Sequence, residues 1–235
     1  MAKKNKEISS SNLIKVKPIT EGQKSVFETW KKGQNQFLFG CAGTGKTFIS
    51  LYLAMQDVLD LKTKYDKVIL VRSLIPTREI GFLPGDEEDK AALYQVPYQN
   101  MVKFMFEQPN EQAFNMLYDR LKNQGSLYFL STSFLRGLTF DNSIIIVDEC
   151  QNLNFHELDT ITTRVGQDSK IVFCGDISQT DLLKQNEKNG LHDFLRILME
   201  MQEFNCIEFN IGDIVRSGFV RNYLIQKTKL GMGME

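Results

Sequence analysis

A chain of 235 residues that is 42% apolar and 24% charged can bury roughly 70% of its unfolded surface, which excludes a fibrous or disordered polypeptide and allows one sizeable domain. The formal charge is −1 and the pI about 6.2, so no global positive field draws the chain to nucleic acid or to an anionic membrane, and a polyanion must be held by a local patch. Cys41, Cys150, Cys174 and Cys206 are irregularly spaced, form no CxxC pair and have only His156 and His192 as further soft ligands, so they read as reduced thiols of a cytoplasmic protein and not as a zinc site.

In chain order, residues 1–19 are basic and polar with no apolar h-region, which predicts a flexible tail and no signal peptide. No apolar run approaches the ~20 residues of a membrane span, so no membrane partner is expected. Short β-rich runs follow: "QFLFG" (36–40), "KVILVR" (67–72), "SLYFL" (126–130), "SIIIVDE" (143–149), "KIVFCGD" (170–176) and "NCIEFN" (205–210). Helical patterns lie between most of them, at 46–61, 111–123, 154–165 and 191–202. Continuous apolar strands alternating with amphipathic helices predict an α/β fold, a doubly wound, mostly parallel sheet with helices on both faces. The stretch from about 73 to 100 lacks periodicity and carries Pro76, Pro84 and Pro97, which predicts a long loop or insertion on the functional rim. The boundaries expected are a tail at 1–19, one nucleotide-binding domain at 20–225 and a C-terminal tail at 226–235.

In such a sheet ligands sit beyond the carboxyl ends of the strands. The polar motifs obey that rule. "GCAGTGKT" follows the first strand, opens a helix and fits G-x-x-x-x-G-K-[ST] in full. Gly40, Cys41, Ala42, Gly43, Thr44 and Gly45 form the candidate phosphate loop. Lys46 reaches the β and γ groups, Thr47 can ligate Mg²⁺, and Phe48 continues the cradle into the helix. "SIIIVDECQ" ends an apolar strand on Asp148, placed to hold the metal, and Glu149, placed to orient and deprotonate a water. A carboxylate pair at a helix start is the alternative for those two residues. Nucleoside triphosphate hydrolysis is the expected activity. In "GDISQTD", Asp176 and Gln179 either sense the γ-phosphate from a neighbouring strand tip or form a turn with a helix cap.

These pieces in this order resemble the PhoH family of P-loop ATPases, whose RecA-like core is similar to the first motor domain of superfamily 1 helicases. The resemblance runs from about Thr20 to Tyr223 and rests most specifically on "GFLPGD" and "DIVR". It implies an adenine contact for Gln23, hence ATP, and γ-phosphate sensing for Gln151 and Gln179. It places Arg72, Phe82 and Asp86 where helicases touch a single strand. Phosphate starvation and short phage forms come with the family. Cys150, Ser73 and the residues after Arg216 depart from the usual family pattern.

Helicases close their ATP site with arginines of a second motor domain, and only about 60 residues follow Asp176 here, so a monomeric two-domain helicase is not expected. An arginine finger accelerates phosphoryl transfer by about 10³ to 10⁵. Arg216 in "NIGDIVRSGFV" is the candidate, acting on its own site or a neighbour's and oriented by Asp213 through an i, i+3 pair. The resemblance suggests a homo-oligomer, a hexameric ring. Two functions stay open. One is an ATPase acting on RNA or other single-stranded nucleic acid through Arg72, Arg78, Lys90, Lys103, Phe82 and Tyr94. The other is an ATP-controlled assembly switch with slow turnover. Kinase activity ranks below both.

Overall fold

The computed structural model describes residues 6–73, 87–132, 135, 137–176 and 190–230. Six strands, β1 (Asn35–Gly40), β2 (Lys67–Arg72), β3 (Leu127–Ser131), β4 (Ser143–Val147), β5 (Lys170–Cys174) and β6 (Phe204–Phe209), form one sheet in the order β3-β2-β4-β5-β1-β6. Every pairing is parallel. The helices are α1 (Glu21–Lys31), α2 (Lys46–Leu59), α3 (Glu87–Met105), α4 (Glu111–Asn123), α5 (Phe155–Thr162), α6 (Leu191–Glu200) and α7 (Gly218–Lys229).

Both faces of the sheet are covered, which is why the strands read as unbroken apolar runs. Side chains alternate between the faces with period two. Leu38, Ile144, Ile146 and Val172 join the core under α1 to α4, while Phe37, Phe39, Ile145, Val147 and Phe173 join the core under α5 and α6. Helix starts follow local capping chemistry: Asn110 accepts from the Ala113 N–H, and Asn154 and Glu157 form a reciprocal capping box on α5.

Three expectations are corrected. The 73–100 stretch is not loop throughout, because α3 occupies Glu87–Met105 with Pro97 inside it; residues 74–86, with all of "GFLPGD", lie outside the described residues. The α3 pattern is hard to read because only its inner half is sealed: Tyr98, Val102 and Met105 are buried while Leu93, Val96 and Phe104 are exposed. The N-terminal segment is not loose from residue 6 onward. Ile8 and Leu13 are buried in the core, the Lys6 ammonium donates to the carbonyls of Val58 and Asp66, and the Ile14 N–H donates to Met105 O. The helix at the other end continues through Lys229, beyond the boundary at 225. No helix among the described residues is long and apolar enough to cross a membrane.

β5 lies between β1 and β4, so the tips of these three strands stand side by side at the carboxyl edge. That places the loop after Gly40, Asp148 and Asp176 on one rim, with Arg72 at the tip of β2 next to β4.

Candidate nucleotide site

The phosphate loop begins at Gly40, where φ is 116° and an added Cβ would lie 2.1 Å from the Phe209 carbonyl oxygen, so only glycine allows the chain to leave β1 alongside β6. The Cys41 N–H donates to the same carbonyl at 2.8 Å. Gly43 is left-handed at φ 74°, and Arg216 packs directly over it: an added Cβ would meet the Arg216 Cγ at 3.0 Å. Thr44 is buried, its hydroxyl donating to Cys41 O. Gln23 braces the loop from α1, donating to Thr44 O at 3.1 Å and accepting from the Ile19 N–H at 2.9 Å.

Lys46 is only 5% exposed, and its ammonium donates to Cys41 O at 2.8 Å and pairs with Asp176 Oδ1 at 2.8 Å. Thr47 Oγ1 donates to Asp148 Oδ1 at 2.7 Å. The other oxygen, Asp148 Oδ2, accepts from the Tyr98 hydroxyl, also at 2.7 Å. Burial and the Asp148 charge push the Tyr98 phenol well above the ordinary tyrosine range, so it keeps its proton as donor. Arg72 neighbours the Tyr98 hydroxyl and lies 5.3 Å from the Tyr94 ring centroid. Burial lowers the Arg72 pKa, and the neighbouring Tyr98, Glu149 and Asp148 more than offset this, leaving it above the usual value.

Glu149 follows Asp148 with left-handed backbone, φ 52° and ψ 41°, and opens a single 3-10 turn, Cys150–Asn152. Its carboxylate accepts from Gln151 Nε2 at 2.6 Å, and Gln151 Oε1 accepts from the Asp176 N–H at 3.2 Å. One amide thus ties Glu149 to the tip of β5. Burial, then the Asp148 charge, raises the Glu149 pKa above the ordinary glutamate value, and the Gln151 bond opposes the rise. Gln179 lies outside the described residues.

The expected pairing of Asp213 with Arg216 does not form. The Asp213 carboxylate is buried and satisfied by backbone donors, the Gly22 N–H at 2.9 Å and the Asn210 N–H at 2.8 Å, because it caps the short Ile211–Asp213 turn and docks it on α1. Arg216 is positioned instead by the Val215 N–H, which donates to Gly43 O at 3.1 Å.

A cleft of about 680 Å³ joins these parts. Gly43 through Phe48 line it with Gln23, Arg72, Tyr98, Asp148, Glu149, Asp176 and Arg216, whereas Gly40, Cys41, Ala42 and Gln151 do not line it. Apolar lining comes from Val16, Ile19, Phe48, Pro97 and Met101 among others. Of the expected single-strand contacts, Arg72 turns into this cleft, Tyr94 lies against Arg72, and Lys103 is ion-paired with Glu111. Arg78, Phe82, Asp86 and the Lys90 side chain lie outside the described residues.

A family model described as PhoH-like protein matches residues 15–226. The chain belongs to the PhoH-like protein family. It is 32% identical over 207 residues to a PhoH-like protein of Synechocystis sp., covering 88% of this chain and 60% of that one. It is 31% identical over 206 residues to protein PhoH of Escherichia coli, covering 87% of this chain and 56% of the relative. It therefore spans less than two thirds of either relative. Among solved structures, the large terminase of a thermophilic bacteriophage has a TM-score of 0.51 at 12% identity, over 90% of this chain and 50% of the terminase, a likeness of fold.

The family match starts at residue 15, so it takes in Val16 and Ile19, the N-terminal wall of the cleft in this PhoH-like chain. The residues fit a magnesium nucleotide. Thr47 Oγ1 and Asp148 Oδ1 are hard oxygens held together, which suits Mg²⁺ with its remaining positions on water and phosphate. The volume lies within the ~300–1,000 Å³ of small-molecule sites, and Gly43 and Gly45 have the left-handed backbone that anion-binding loops use. Sequence reasoning missed Tyr98, the Lys46–Asp176 pair and the inward turn of Arg72.

Proposed function

We propose that this PhoH-like chain hydrolyses ATP to ADP and phosphate with Mg²⁺, and couples turnover to RNA or other single-stranded nucleic acid as a homo-oligomeric ring. The observation that carries the hydrolytic reading is the convergence of Lys46, the Thr47–Asp148 pair, Glu149 and Arg216 on one cleft. Lys46 exchanges Asp176 for the β and γ phosphates, whose anionic oxygens replace the carboxylate. Thr47 and Asp148 hold the metal, which when bound neutralises phosphate charge. Glu149 accepts a proton from water as its oxygen bonds to the γ-phosphorus and the bond to the bridging oxygen breaks, releasing ADP. Arg216, which lines its own chain's cleft, supplies the closing positive charge in cis. Gln23 is assigned to the adenine base, and Gln179 to the γ-phosphate, by resemblance. The nucleic-acid coupling rests on the resemblance to helicase motor domains.

One observation favours the second reading, an ATP-controlled assembly switch: Lys46 and Glu149 are both engaged, by Asp176 and Gln151, and must be released before turnover. Phosphate release measured with and without single-stranded RNA separates the two. The motor requires a rate that rises with RNA and falls back with salt; indifference to RNA and DNA, with ATP-dependent assembly size, selects the switch. Mixing Arg216→Ala with Lys46→Ala chains should leave the mixture inactive, and recovered activity would show that Arg216 acts on a neighbour.

A further inference from the structure

A carboxylate at the end of a strand rotates easily, because its terminal torsion is broad and two-fold. Asp148 is fixed at both oxygens. Thr47 holds Oδ1 from α2, and Tyr98 holds Oδ2 from α3, each at 2.7 Å. Tyr98 comes from neither the phosphate loop nor the strand that carries Asp148. Its ring is 1% exposed and packs on Phe129 at a centroid distance of 5.7 Å, so the hydroxyl has little freedom to move. The Arg72 guanidinium neighbours the same hydroxyl and lines the cleft with Tyr98 and Asp148, so guanidinium, phenol and carboxylate stand in sequence. Tyr94, one turn before Tyr98 on the same face of α3, lies against the Arg72 guanidinium. Two aromatic residues of one helix therefore clamp the arginine that backs the carboxylate's donor.

We propose that Tyr98, backed by Arg72, is the positioning residue for the magnesium carboxylate, so that the metal site is competent only when α3 is seated. The assignment rests on the reading of Asp148 as the metal ligand. Pro97 removes one backbone donor from the turn that carries Tyr98, so that turn has one ladder bond fewer. The far end of α3 is tied down by Phe48 against Phe104 and by the Ile14 N–H on Met105 O. A shift of the near end would reach Asp148 through a single hydroxyl.

Tyr98→Phe keeps the ring and deletes the hydroxyl. Binding of a fluorescent N-methylanthraniloyl ATP is measured in EDTA and across a Mg²⁺ titration, for wild type, Tyr98→Phe, Asp148→Asn and the double variant. The expected result is unchanged affinity in EDTA and a Mg²⁺ midpoint raised about 10- to 100-fold in Tyr98→Phe, the usual effect of removing a partner that orients a metal ligand. Melting temperature should stay close to wild type, and Tyr98→Phe should add nothing in the Asp148→Asn background. A wild-type Mg²⁺ midpoint in Tyr98→Phe, or an equal further loss on top of Asp148→Asn, overturns the assignment. A wild-type chain that binds the analogue no better with Mg²⁺ would instead refute the proposed function, and the assignment with it.

Discussion

Glu149 occupies the left-handed backbone region at φ 52°, which costs a residue other than glycine about 1–2 kcal/mol. The strain sits where the chain must turn sharply off β4 so that Asp148 and Glu149 point into one cleft. The order Asp148-Glu149 after an apolar run was legible in the sequence, since the chemistry needs those two groups at a strand tip. The restraint on Glu149 was not, because Gln151 takes its meaning from Asp176, which arrives on another strand. That restraint has a pH signature. Burial and the Asp148 charge raise the Glu149 pKa, and Gln151, bonding to the ionised form, opposes the rise. A base must be ionised to act, so the acidic limb of the ATPase profile should lie above the ordinary glutamate value of about 4.3. Gln151→Ala removes the opposing bond and should move that limb to higher pH. A limb that stays put or moves down in a pH series of phosphate release would contradict the assignment.

The inner strands β2, β4 and β5 were readable because their central residues are buried on both faces and are apolar without interruption, and even for the partly exposed edge strands β3 and β6 the observed bounds differ from the expected ones by a few residues at most. Helix α3 was not readable, since half of its apolar residues face outward and Pro97 breaks the local signal. The N-terminal segment misled for a similar reason: Ile8 stands alone and Leu13 sits in a short apolar patch within a polar, basic run, and only the assembled core shows what they pack against. Burial on both faces also sets the energetics. Ile146, fully buried on β4 under α2, lies within two residues of Asp148. Ile146→Ala should cost about 2–5 kcal/mol, through lost burial and the cavity left behind. Urea denaturation checks this; a change under 1 kcal/mol would mean that the core closes over the gap.

At the scale of the molecule, the order β3-β2-β4-β5-β1-β6 brings the phosphate loop, Asp148 and Asp176 to one edge, and the turn after β6 returns Arg216 to the same place. The sequence showed that each motif follows a strand, and a parallel sheet makes that sufficient to gather them. It did not show that Arg216 packs over Gly43 of its own chain, a contact that depends on β6 lying next to β1. The central claim is that this cleft hydrolyses ATP with Glu149 as the base. Phosphate release at saturating ATP and Mg²⁺, compared between wild type and Glu149→Gln, tests it most directly. The account expects a loss of about 10²- to 10⁴-fold with nucleotide binding retained. A Glu149→Gln chain that releases phosphate at the wild-type rate would contradict it.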